Sequence, residues 1–143
     1  MSSESQNVKS IVIIAGHRLP NVPRTVNPII DNLVKAVQSG GGAVASVGTD
    51  QGIGALVKSV CLYHNVPFID VHARILGIVP KSLIHEIFCA RYSLLLTLGD
   101  AFHLFLSKDR VGLIEVLVNR VNESGKTSVL YNYDGEVIGD AKA

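Results

Sequence analysis

Charge is scarce in this sequence. Only 17% of its residues are Asp, Glu, Lys or Arg against 48% apolar, a balance that excludes an intrinsically disordered chain. What charge there is nearly cancels. Thirteen basic residues against twelve acidic ones leave a formal +1, too little for a field that gathers nucleic acid or anionic lipid. Long apolar runs are lacking too: stretches such as Ser10–Ala15 and Leu94–Leu98 are far too short to span a bilayer, so no membrane partner is expected. Cys61 and Cys89 are the only cysteines and both fall in helical apolar patterns. They make no disulfide framework, and the expectation is two buried small hydrophobes in a reducing cytosol. The opening Met1-Ser2-Ser3-Glu4-Ser5-Gln6-Asn7 is polar and acidic, the reverse of a signal peptide, in keeping with a cytoplasmic location.

Signatures of several chemistries are missing as well. His17, His64, His72, His85 and His103 are scattered, without H-x-H or H-x-x-x-H spacing and without a cysteine partner, so neither a metal nor a cofactor is expected. No serine or cysteine sits in a nucleophile elbow. Gly125-Lys126-Thr127 imitates the end of a phosphate-binding loop, but Arg120 stands where the earlier glycine belongs and the triplet joins a helix to a strand. It reads as a helix stop. Gly52-Ile53-Gly54 is not a dinucleotide fingerprint, because Val57 takes the place of the third glycine and the segment lies in the second strand–helix unit.

What is present is an alternation of two periodicities. Ser10–Ala15 is a continuous β-branched run ending at Gly16, the pattern of a strand buried on both faces. After Pro20 and Pro23 a helix opens at Asn27-Pro28, with Ile30, Leu33, Val34 and Val37 at 3,4 spacing and Gly40-Gly41-Gly42 as its stop. Ala43–Val47 reads as a second strand. Ile53, Leu56, Val57, Val60 and Cys61 mark a second helix, ending near Asn65, and Val66–Val71 a third strand. Leu83, Ile84, Ile87 and Phe88 mark a third helix, followed by an expected fourth strand at Ser93–Leu98 that ends at Gly99. Leu113, Leu117, Val118 and Val121 mark the last helix, Ser128–Tyr131 a fifth strand, and Asp134-Gly135 a turn into a short tail. Residues 1–8 read as a flexible tail and residues 9–143 as a single domain. The expected fold class is α/β: a Rossmann-like open, mainly parallel five-stranded sheet with helices on both faces.

In such sheets ligands sit outside the carboxyl ends of the strands, where the strand order reverses. Gly48-Thr49-Asp50-Gln51-Gly52-Ile53-Gly54 follows a strand and opens a helix, the setting for an anion on exposed backbone amides. Thr49 and Gln51 add hydrogen bonds there, and Asp50 either takes a ribose hydroxyl pair or caps the helix. Gly16-His17-Arg18 follows the first strand: an arginine that forks onto phosphate or carboxylate, and an imidazole that donates or stacks. Gly99-Asp100 opens a long loop to Arg110, whose Phe102, Leu104, Phe105 and Leu106 read as a lid or a subunit contact. Asp70 and His72 read as a hydrogen-bonded pair or an acid–base pair.

A strand ending in Gly-x-Arg, a second ending in Gly-x-x-x-Gly-Ile before an apolar helix, and then Asn65-Val66-Pro67-Phe68-Ile69 together resemble the SLOG superfamily. That group includes DNA-processing protein A, the cytokinin-activating phosphoribohydrolases, molybdenum-cofactor carriers and nucleotide sensors. The likeness runs from about Lys9 to Tyr131 and is most specific over Gly48 to Ile53. It implies a Rossmann-like fold that binds nucleotides or their derivatives, as a homodimer or higher homo-oligomer, through Gly16 and Arg18 and through Gly48 to Gly52. The phosphoribohydrolases carry Pro-Gly-Gly-x-Gly-Thr-x-x-Glu after the fourth strand. Here Val111-Gly112-Leu113-Ile114-Glu115 has a glycine-to-glutamate spacing one short and no threonine. Three functions remain open: a sensor or sequestering protein for a nucleotide-derived ligand, a nucleotide N-glycosidic-bond hydrolase using Glu115 or Asp100, and a single-stranded DNA-binding protein. The absence of a basic surplus speaks against the last, so nucleic acid is not the expected partner.

Overall fold

The computed structural model describes residues 9–17, 22–71, 80–107 and 114–139. The β-branched run forms β1 (Ile11–Gly16), in which Ile13, Ile14 and Ala15 have no exposure at all. A 3-10 turn at Arg24–Val26 leads straight into α1 (Asn27–Ser39), so Val26 rather than Asn27 takes the cap position, with Pro28 in the first turn where its missing N–H is harmless. Ile30, Val34 and Val37 are its buried stripe. β2 (Ala43–Val47) is buried throughout. α2 (Gly52–His64) ends on Asn65 at φ 58, a left-handed residue of one of the few types that tolerate it. The chain continues as β3 (Phe68–Val71), α3 (Lys81–Leu98), β4 (Ala101–Phe105), α4 (Ile114–Ser124), β5 (Thr127–Tyr131) and β6 (Val137–Gly139).

These strands form one sheet in the order β3-β2-β1-β4-β5-β6, parallel from β3 through β5 and antiparallel only at β6. α1 and α2 bury Ile30, Val34, Ile53 and Val57 against one face with Ile14, Val44 and Phe105. On the other face α3 and α4 bury Leu95, Leu117 and Val121 against Ile13, Ala45, Phe102 and Leu104. The fold is therefore α/β with helices on both faces of an open, mostly parallel sheet. Among the described residues it has six strands where five were expected, because the turn at Gly135 returns the chain along β5 as β6 instead of ending it.

One expected element is wrong. Ser93–Leu98 is not a strand but the last part of α3. Its burial follows the helical period: Tyr92 and Leu95 are buried while Leu94 is 47% exposed. Ser93 and Thr97 hydroxyls donate back to the carbonyls of Cys89 and Ser93, four residues earlier, at 3.1 Å each. The run is leucine-rich rather than β-branched, and leucine is a good helix former. The true fourth strand begins at Ala101, so Phe102, Leu104, Phe105 and Leu106 are core residues with at most 1% exposure. They form neither a lid nor a subunit contact.

Candidate ligand-binding site

The strand order reverses between β1 and β4, which puts the switch point where Gly16-His17 and Leu106-Ser107 leave the sheet. Next to it lies the start of α2. Gly48 (φ +66) and Gly52 (φ +69) both take the left-handed conformation that folds the chain from β2 into the helix, which side chains resist. Gln51 precedes the helix in extended conformation without a side-chain capping bond, and no acidic residue occupies the first turn. Gly54 lets that turn press onto the sheet: a Cβ there would stand 2.6 Å from the Val47 carbonyl oxygen and 2.7 Å from that of Gly48.

Gly16 and the start of α2 are brought together. A Cβ on Gly16 would lie 2.6 Å from Ile53 Cγ1, and the Ile53 amide donates to the His17 carbonyl at 3.4 Å. His17 is only 9% exposed. Its Nδ1 accepts from the Ser107 amide at 2.9 Å, and its carbonyl also accepts from the Tyr133 hydroxyl at 3.4 Å. Burial pushes the Tyr133 phenol up to about 12, so the group is a neutral donor at any physiological pH. Thr49 donates its hydroxyl to Asp70 Oδ1 at 2.7 Å, and the Lys58 ammonium lies 3.2 Å from Asp70 Oδ2. Asp70 thus ties the turn after β2 to the end of β3, while Asp50 and Gln51 stand exposed at the crest of that turn.

Gly99 and Asp100 do not join this group. The expected grouping fails because β4 starts after them, which places both on the amino edge of the sheet, opposite the switch point. Asp100 there closes a two-way bond with the start of β1: its amide donates to the Ile11 carbonyl, and the Ile11 amide donates to Asp100 Oδ2, both at 2.8 Å. Gly99 is a packing glycine, since a Cβ would meet Ile13 Cγ1 at 2.5 Å and Phe102 Cζ at 2.9 Å. Lys126 reaches in to donate to the carbonyls of Gly99 (2.8 Å) and Leu96 (2.5 Å), capping α3 with a charge of the right sign. Glu115 lies in the first turn of α4, which the parallel β4–α4–β5 crossover starts on the carboxyl side. The two candidate acids therefore sit on opposite edges. Arg18, His72 and residues 108–113 lie outside the described residues.

Ser107 and Tyr133 were invisible to sequence reasoning. Misplacing β4 hid Ser107 as an exit residue, and Tyr133 carries no signal beyond its neighbouring Asp134-Gly135 turn. Among the described residues no cluster of three His, Cys, Asp or Glu side chains is placed to hold a metal ion, and no helix is long and apolar enough to cross a membrane. No protein-family model matches the sequence, and no curated protein matches it either.

Proposed function

We propose that this protein binds a small nucleotide-derived ligand over the carboxyl edge of its sheet, as a sensor or sequestering protein. The observation that carries the reading is the start of α2. Two left-handed glycines shape it, no acidic residue or side-chain cap occupies its first turn, and it lies beside the β1 exit at the switch point. A helix terminus of that kind favours a phosphate, through its oriented amides other than that of Ile53, which the His17 carbonyl takes, and through the positive end of the helix dipole. Asp50, exposed on the same turn, is the group proposed for the ribose hydroxyls. The resemblance to the SLOG superfamily supports the same ligand class and adds Arg18 as a phosphate partner.

The test is a thermal-shift panel of adenine nucleotides, cyclic nucleotides and ADP-ribose-type compounds. A ligand present at a hundred times its Kd and bound only by the folded state adds about 2.7 kcal/mol of stability. Failure of the whole panel at millimolar concentration removes the proposal. Arg18→Ala is expected to fold and to weaken binding by about 1.5–3 kcal/mol, the scale of a charge-assisted hydrogen bond.

Glu115 gives a second reading its one support, because it stands on the same edge. Under it the protein hydrolyses a nucleotide N-glycosidic bond, and Glu115→Gln retains binding while abolishing turnover. A binding protein would show no turnover in either form.

A further inference from the structure

We infer that His17 is the positioning residue of the switch point: its imidazole, held as the Nε2–H tautomer, stands in for a backbone acceptor and fixes where the chain leaves β4. In a parallel sheet the peptide groups of successive residues bond alternately to the two neighbouring strands. The Leu106 amide donates to the Tyr131 carbonyl of β5 at 2.9 Å, so the next amide, that of Ser107, faces β1. β1 has ended by then, with Gly16 as the partner of Phe105. The atom that meets the Ser107 amide is His17 Nδ1, at 2.9 Å. A side chain thus extends the β1–β4 ladder by one bond at the place where the two strands part.

The donor decides the tautomer. A backbone N–H only donates, so Nδ1 carries a lone pair and the neutral ring keeps its proton on Nε2. The rest of His17 is pinned from two further loops. Its carbonyl takes the Ile53 amide at the start of α2 and the Tyr133 hydroxyl beyond β5. Four exits from the sheet therefore meet on one residue. The inference rests on the ligand reading only in treating this crevice as a binding place, since the bonds themselves belong to the protein alone.

Long-range nitrogen–proton NMR on the ligand-free protein reads the tautomer, and amide hydrogen exchange reads the Ser107 bond. The expected result is the Nε2–H form, with the Ser107 amide exchanging at least about tenfold faster in His17→Phe than in the parent. His17→Asn, whose side-chain oxygen occupies the Nδ1 position, is expected to restore protection. His17→Gln, which mimics Nε2, is not. An Nδ1–H tautomer in the parent overturns the inference, and so does unchanged Ser107 exchange in a folded His17→Phe protein. If that variant does not fold, the tautomer of the parent decides. A nucleotide panel without effect would sink the ligand reading and leave this result standing.

Discussion

Replacing Gly16 by alanine puts a Cβ 2.6 Å from Ile53 Cγ1, 2.7 Å from the Phe105 carbonyl oxygen and 2.9 Å from Ile53 Cβ. None of these neighbours has room to give. Ile53 is fully buried under the start of α2, and the Phe105 carbonyl belongs to the strand paired with Gly16. Overpacking of this kind costs about 1–3 kcal/mol, and with a backbone atom among the contacts the upper half of that range is expected. For a chain of this length 1 kcal/mol corresponds to about 3–4 °C, so Gly16→Ala is expected to lower Tm by about 6–10 °C. Ile53→Ala removes the Cγ1 contact but leaves the Cβ of residue 53 at 2.9 Å and the Phe105 carbonyl at 2.7 Å. The double variant should therefore recover only part of the loss, with a coupling of about 1 kcal/mol. Thermal denaturation of the four proteins measures the cycle. A Gly16→Ala protein with parental Tm would refute the packing argument. If it also failed to bind the ligand, the glycine would be there for the ligand's approach instead.

Lys126→Met leaves the carbonyls of Leu96 and Gly99 without their charged donor. The expected cost is about 2 kcal/mol, or about 7 °C in Tm, and a loss under 2 °C speaks against the cap. Burial holds His103 below its ordinary value of 6.5, so on acidification the unfolded chain takes up this proton first. Stability from this group is complete above about pH 6.5 and falls as the pH drops from there toward the folded value. Tm is expected to be lower at pH 5 than at pH 7.5, and His103→Gln should make that difference smaller; an equal difference in both proteins contradicts it. Asp70→Ala releases Thr49 and Lys58 and should cost about 1–2 kcal/mol while loosening the turn after β2. Exchange of the amides around Gly48 reports the loosening. At physiological salt, single-stranded and duplex DNA should bind only weakly, given the formal charge of +1; submicromolar affinity for a single-stranded oligonucleotide would overturn this.

Where one residue type answers to one physical demand, the fold could be read from sequence. β1 and β2 announce themselves because strands covered on both faces need continuous apolar residues, and α1 because its buried stripe has a clean helical period. The region from Tyr92 to Leu106 offered two apolar runs separated by Gly99-Asp100, and only one of them is a strand. Length did not arbitrate. β-branching did not help either, since β4 itself reads Ala-Phe-His-Leu-Phe. The choice is made by tertiary structure: Asp100 bonds to Ile11 and sets the start of β4 beside β1. That single misplacement carried a site error with it. With the strand placed at Ser93–Leu98, Gly99-Asp100 reads as the exit loop, whereas the exit from β4 is at Leu106-Ser107. Gly16, His17 and Gly48 to Gly52 lie at the carboxyl ends of β1 and β2, which a glycine marks in the sequence.

The glycines and polar groups of the two sheet edges divide by what they do to the backbone. On the amino edge, Asp100 and Lys126 satisfy named backbone groups and Gly99 yields its space to Ile13, so these three residues serve the structure. On the carboxyl edge the glycines are of two kinds. Gly16 yields space to Ile53 and the Phe105 carbonyl and Gly54 to the carbonyls of Val47 and Gly48, whereas Gly48 and Gly52 supply left-handed conformations. Substitution of the first kind must change stability whether or not anything binds. Gly52 is different, because a bulky residue there carries both a conformational cost of about 1–2 kcal/mol and an obstruction over the first amides of α2. Gly52→Ala and Gly52→Leu share the first term and differ mainly in the second. Binding that falls much further in the leucine variant, at similar Tm in the absence of ligand, places the ligand over the start of α2; equal binding in the two moves it elsewhere.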